Sequence, residues 1–167
     1  MLQGLKRVAS RLVGKAGLPR DMSGDDRALM SRIREERLTY LSEKKLACLV
    51  RTARAIEAAR LPGAFLEAGC ALGGSAILLA RVKKADRPLE VYDVFGMIPP
   101  PTKEDTPDVH ERYRTIVQGQ SQGIGGDPYY GYRHDLYEVV QGNFRRFGIE
   151  LCSSSMPKRR KLPCTTS

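Results

Sequence analysis

The chain has 167 residues and a formal net charge of +9, from 28 Lys and Arg against 19 Asp and Glu. That length allows one real core, and no apolar run nears the roughly 18 residues needed to span a bilayer. The basicity lies at the ends: residues 1–20 hold five basic residues and no acid, 151–167 hold four and no acid, and the 19 that remain balance the 19 acids. A folded unit of zero net charge with little aromatic interleaving near its cations argues against specific nucleic-acid recognition.

Leu2, Leu5, Val8, Ala9, Leu12, Val13 and Ala16 recur at helical spacing with cations between them. Residues 1–20 therefore read as a basic amphipathic helical extension, ending at Gly17 and Pro19. It suits packing on the domain or peripheral contact with an anionic membrane. It has no uninterrupted apolar segment of the signal-peptide kind. Residues 25–37 read as a charged helix. Ser42 is an N-cap for a helix to Arg60, whose face Leu46, Leu49, Val50, Ala53 and Ile56 should pack on a sheet, with Cys48 within it. Leu61-Pro62-Gly63 stops that helix.

The next stretch carries the chemistry. Ala64–Ala68 reads as a strand closing on Glu67, then Gly69-Cys70-Ala71-Leu72-Gly73-Gly74-Ser75 as a glycine loop, then Ser75–Lys83 as a helix. Glycine lets a backbone approach a ligand closely, and the free N–H groups of a helix start attract polar groups. Asp86-Arg87-Pro88 turns into a second strand, Leu89–Val94, closing on Asp93, 24 residues after Gly69. An acid about 20 residues past such a loop is where a Rossmann-like unit holds a ribose diol. Two acid-tipped strands around a glycine loop suggest a nucleoside-bearing cofactor; a plain strand–turn–helix without a ligand is the simpler alternative. The dinucleotide pattern G-x-G-x-x-G is not met, since Ala71 holds its middle glycine position. Glu67 would repel a pyrophosphate but suits a cationic group such as the amino group of S-adenosylmethionine (SAM). No Gly-Lys-Ser/Thr follows, so this is no phosphate-binding P-loop.

Pro99-Pro100-Pro101 makes a stiff loop, Thr106 and Pro107 open a helix to Gln118, and a tyrosine-rich loop follows with Tyr129, Tyr130 and Tyr132. These tyrosines suit an acceptor or lid surface, or simple packing on the last helix. Asp135 with Glu138 forms a capping pattern for that helix, Leu136–Phe147. A third strand should begin near Ile149. Instead the chain runs into 151–167, which has few apolar residues and no periodicity and reads as a disordered tail. Cys48, Cys70, Cys152 and Cys164 show no C-x-x-C spacing, which suits a reduced cytoplasmic protein. His110 and His134 have no ligand-spaced partners and read as surface or loop histidines.

Arg37-Leu38-Thr39-Tyr40-Leu41, Leu61-Pro62-Gly63-Ala64-Phe65-Leu66-Glu67-Ala68-Gly69, Gly73-Gly74-Ser75 and Asp93-Val94-Phe95-Gly96-Met97-Ile98-Pro99 together resemble the macrocin O-methyltransferase (TylF-like) family over roughly residues 30–150. The resemblance implies a class I SAM-dependent methyltransferase: a Rossmann-like α/β fold, methyl transfer to a sugar or polyketide hydroxyl, and a divalent metal such as Mg. It assigns Glu67, Gly69, Ala71, Gly73, Gly74 and Ser75 to the methionine end of SAM, Asp93 to the ribose, Phe95 to the adenine, and Thr39 and Tyr40 to the donor pocket. That fold normally has seven strands and more than 200 residues. Expected here is an incomplete version, with the first two strands and flanking helices over 21–150. No catalytic base or metal ligand is legible, and the abrupt change of composition after residue 150 suggests a truncated or frame-shifted product, expected to be inactive alone, with a short native tail as the alternative. Competing readings are a nicotinamide-dependent oxidoreductase fragment and a non-enzymatic basic interaction module.

Overall fold

Polar side chains set the starts of the first helices. In the computed structural model, which describes residues 22–151 and 161–165, α1 spans Gly24–Glu35 and α2 spans Glu43–Ala58. The Ser23 side chain accepts from the Asp26 N–H at 3.1 Å, and the expected cap Ser42 accepts from the Lys45 N–H at 3.4 Å. Leu46, Val50 and Ala53 of α2 are buried as their spacing predicts; Leu49 and Ile56 are half-buried. Cys48 is exposed, contrary to its expected place in the apolar face. Buried Glu57 lies one turn beyond Ala53, ion-paired with Arg87 at 2.5 Å. Arg87 also donates to the carbonyls of Leu61 and Gly63, at 2.7 and 2.6 Å, and so ties the end of α2 to the start of the sheet.

Strand β1 (Phe65–Ala68) and strand β2 (Leu89–Tyr92) run parallel, Glu67 beside Val91 and Ala68 beside Tyr92. Helix α3 (Gly74–Val82) connects them, completing a β–α–β unit. Buried positions run all round α3, including Ile77, Leu78, Leu79 and Val82, as befits a helix enclosed by other elements. Leu89 and Val91 join the same core. The opposite side of the strand pair is uncovered among the described residues: Leu66 is 67% exposed and Tyr92 41%.

After β2 come α4 (Pro107–Val117), short 3-10 turns at Ile124–Gly126 and Tyr130–Tyr132, and α5 (Leu136–Arg146). The Asp135 cap pattern is not realised. Its carboxylate turns to Arg133, with bonds of 2.9 and 2.8 Å, because a nearby guanidinium offers two charge-assisted bonds. Asn143 of α5 donates to the Leu72 carbonyl at 2.8 Å, fastening the glycine loop from below.

Two strands were expected; the sheet has four, in the order β1-β2-β4-β3. β3 is Glu150–Leu151 and β4 is Lys161–Thr165, which runs antiparallel to both neighbours. The expectation of a disordered tail is therefore corrected over 161–165. Composition sees no periodicity there, but the far edge of β2 offers unpaired backbone groups that any extended segment can satisfy. Pro163, which lacks an N–H, lies outside the short β3 ladder of Cys164 and Thr165. The remaining tail positions and the expected helical extension over 1–20 lie outside the described residues. The described residues form a mixed α/β arrangement whose five α-helices and parallel strand pair are consistent with a partial Rossmann-like fold. Among the described residues no helix is long and apolar enough to cross a membrane.

Candidate functional site

Parallel pairing of β1 with β2 brings both strand tips to one edge. The Gly69 N–H donates to the Tyr92 carbonyl at 2.7 Å, the last rung of that ladder. Beyond it the chains part, and Asp93 bridges them. Its Oδ2 accepts from the Cys70 N–H at 2.7 Å and its Oδ1 from the Phe95 N–H at 2.8 Å. The carboxylate is thus fixed by two backbone donors, one on each oxygen.

Left-handed backbone shapes the glycine loop. Gly69, Ala71 and Gly73 have φ of 84°, 51° and 92°. Glycine accepts this at two of the positions; Ala71 holds it against its Cβ. Gly73 is the N-cap of α3, where an added Cβ would stand 3.0 Å from the Phe144 ring. Gly74 is constrained differently: its N–H donates to the Leu38 carbonyl at 3.0 Å, and a Cβ would lie 2.7 Å from that oxygen. In front of Gly69 a Cβ would meet nothing within 4 Å, so open space lies there.

Glu67 faces the same loop. Its Oε1 accepts from the Ser75 hydroxyl, while Oε2 is buried without a partner. Burial, with a smaller contribution from the Asp93 charge, raises its carboxyl to about 7 despite the Ser75 bond. Burial, followed by the charges of Asp93 and Glu67, pushes the Cys70 thiol well up, so it stays a thiol.

The other expected residues divide. Thr39 is buried, and its Oγ1 accepts from the Leu41 N–H at 3.1 Å, so its hydroxyl serves a local turn. Tyr40 is 54% exposed, its ring 6.1 Å from that of Tyr130. Phe95 is buried at 8%, edge-on to Tyr137 at 5.1 Å, while the adjacent Val94 is 60% exposed. The backbone of Phe95 serves Asp93, but its ring supports the site from beneath.

Sequence reasoning missed how the tyrosine loop and the 37–41 segment meet. Arg37 pairs with Asp127 at 3.1 Å, and Tyr130 packs on Tyr129 with ring centres 4.6 Å apart. Tyr132 donates to the Ile116 carbonyl at 2.7 Å and accepts from the Ser121 N–H at 3.1 Å, pinning the loop to α4. The doublet Gly73-Gly74 was the available signal for such a close approach; Leu38, which makes it, carries no polar side chain to attract notice.

Two cavities lie away from this edge. One of about 490 Å³ is lined by Pro101, Asp105, Pro107, His110, Tyr113 and Arg114. Another of about 400 Å³ surrounds the Glu57–Arg87 pair and includes Arg60 and Lys84. Neither contains a residue expected to bind cofactor. Among the described residues no three His, Cys, Asp or Glu side chains gather as metal ligands.

The family model described as macrocin-O-methyltransferase (TylF) matches residues 15–150. No curated protein matches the chain.

Proposed function

Because the chain belongs to the macrocin-O-methyltransferase (TylF) family, we propose that its β1–α3–β2 unit is the donor-binding part of a class I, SAM-dependent O-methyltransferase. One observation carries this reading. A buried, unpartnered carboxylate oxygen on Glu67 and a backbone-fixed carboxylate on Asp93 lie at the tips of the two strands that the glycine loop joins, and Gly69 of that loop faces open space.

These groups match the two ends of SAM. A ligand ammonium at Glu67 Oε2 would give that buried oxygen its missing partner. The fixed Asp93 carboxylate, an acceptor at the tip of β2, suits two adjacent ribose hydroxyls. The left-handed loop lets backbone, rather than side chain, meet the ligand between them. When bound, SAM supplies an electrophilic methyl for in-line displacement. The part of this chain is to bind and orient the donor, and orientation is where most of the barrier for such a transfer can be lowered. A hydroxyl on a sugar or polyketide is the acceptor class that accords with the family. The residues described here do not fit a metal site, and none is assigned to one. A nicotinamide dinucleotide fits less well, since its pyrophosphate would face Glu67. Reduced Cys48 and Cys70 accord with a cytoplasmic setting.

Isothermal titration of the full chain with SAM and with NAD tests the reading. Binding of SAM with weaker or no binding of NAD is expected. Tighter binding of NAD overturns it.

A further inference from the structure

Building on that donor reading, we infer that the rings of Tyr40 and Tyr130 hold the positively charged sulfonium of SAM, and so make the site prefer the charged donor over its neutral product.

The placement of the two rings comes first. Tyr40 follows Leu38, whose carbonyl accepts the Gly74 N–H at 3.0 Å. It is therefore tied to the end of the glycine loop where Ser75 meets Glu67. Tyr130 is tied to the other end. The next residue, Gly131, sits so close to Gly96 that an added Cβ would lie 3.2 Å from the Gly96 carbonyl oxygen. Gly96 is three residues past Asp93, and the Asp93 charge is among the influences that keep the Tyr130 phenol protonated, after burial and Tyr129. The two ring centres are 6.1 Å apart, inclined at 54°. The pair thus bridges the Glu67 end and the Asp93 end.

The order of groups in the ligand decides what meets that bridge. In SAM the sulfonium stands between the amino-acid portion and the ribose. With the ammonium at Glu67 and the diol at Asp93, the sulfonium falls beside the two tyrosines. A cation within about 6 Å of a tyrosine ring centre is attracted by the electron-rich face, more strongly where water is excluded. Tyr40 is open enough to receive it, and Tyr130 is half-buried. Of the nearby cations, Arg37 pairs with Asp127, and Arg112 stands over the Tyr129 ring, 5.9 Å from its centre, on the far ring of the cluster, although its charge also reaches the Tyr40 phenol. S-adenosylhomocysteine keeps the amino acid, ribose and adenine but has a neutral thioether, so the rings give it no equivalent attraction.

The test uses the full chain and isothermal titration with SAM and S-adenosylhomocysteine in parallel. Wild type should bind SAM more tightly. In Tyr40→Leu/Tyr130→Leu the SAM affinity should fall roughly five- to tenfold while that for S-adenosylhomocysteine moves less than about twofold. Tyr40→Phe and Tyr130→Phe should keep the wild-type preference, because the ring face and not the hydroxyl acts. Equal losses for both ligands, or loss of the preference in the Phe variants, overturn this inference and leave the donor reading standing. Failure of wild type to bind either ligand overturns both.

Discussion

The Cys70 N–H and the Asp93 carboxylate are 2.7 Å apart, and this bond joins the tips of β1 and β2 just where the strand ladder ends. With the Phe95 N–H on the other oxygen, Asp93 closes two turns at once. A residue placed to hold a ligand is therefore also part of the scaffold.

Substitution of Asp93 should show both roles. Asp93→Ala leaves the N–H groups of Cys70 and Phe95 without their acceptor and should destabilise the fold by about 1–3 kcal/mol in urea unfolding. Asp93→Asn keeps one carbonyl oxygen and should lose less stability, yet weaken SAM binding by a comparable factor. Unchanged stability in the Ala variant would show that water replaces the carboxylate without cost.

Glu67 makes the site respond to pH. Its folded value, about 7, lies above its ordinary value of 4.5. The folded state thus holds the proton more tightly, and the stability this gives is present at low pH and lost as pH rises from about 4.5 through 7. Glu67→Gln should unfold at a higher temperature than wild type at pH 8, with the gap closing toward pH 5. Binding should run the other way. An ammonium ligand needs ionised Glu67, so affinity should climb between pH 5.5 and pH 7, before an α-amino group deprotonates at about 7.7–8. Titrations in buffers of different ionisation enthalpy should show proton release in that range. A flat affinity profile would remove Glu67 from the ammonium role.

The two neighbouring glycine positions should separate sterics from recognition. Gly74→Ala drives a Cβ to 2.7 Å from the Leu38 carbonyl oxygen, a backbone atom, and should destabilise by about 1–3 kcal/mol. Gly69→Ala meets open space but keeps φ at 84°, and should destabilise by about 1 kcal/mol while reducing SAM affinity more strongly. Thermal unfolding paired with titration distinguishes them. If Gly69→Ala binds SAM like wild type, the ligand does not lie against that backbone.

Arg87 should be the most sensitive ionic position. It and Glu57 are about nine-tenths buried, and Arg87 also serves two carbonyls. Arg87→Met leaves a buried carboxylate uncompensated and should lower stability by roughly 3–5 kcal/mol. Adding Glu57→Gln should restore part of it. A double variant no better than the single one would locate the loss in the Leu61 and Gly63 carbonyls.

Methyl transfer by the chain alone should be undetectable in a radiolabelled-methyl assay with hydroxyl acceptors. The Tyr130 phenol is held protonated, His110 lies by the cavity at Asp105, and in the donor reading the Glu67 and Asp93 carboxylates are taken up by the donor itself. Turnover above background would place the catalytic groups within these residues.

What the sequence made legible were features with local causes. Ser42 caps its helix, Gly73 sits at a left-handed helix start, and Glu67 and Asp93 close adjacent strands. Those depend on neighbours a few residues away. Partnerships across long separations were not legible. Leu38 uses only its carbonyl on Gly74, so no side-chain pattern announces it. Asp135 had two partners on offer, a helix start and Arg133, and the guanidinium won. The placing of Phe95 was not legible either: at a positive φ of 49° its ring packs edge-on against Tyr137, while Val94 beside it is exposed. β4 was invisible because its pairing answers the vacant edge of β2 rather than any periodicity of its own.

β1 carries Glu67 and, among the described residues, is also one of the two edge strands of the sheet, the other being β3. Phe65 at the start of β1 and Gly69 just past its end donate their N–H groups to the Pro88 and Tyr92 carbonyls on the β2 side, so by alternation Leu66 and Ala68 point theirs outward. A strand laid along that margin would restrain the same backbone that aims the Glu67 carboxylate. Ligand occupancy and strand addition at β1 then become thermodynamically linked: whichever comes first lowers the entropy the other has left to lose, and donor affinity measured on the chain alone is a lower bound for the chain with that margin filled.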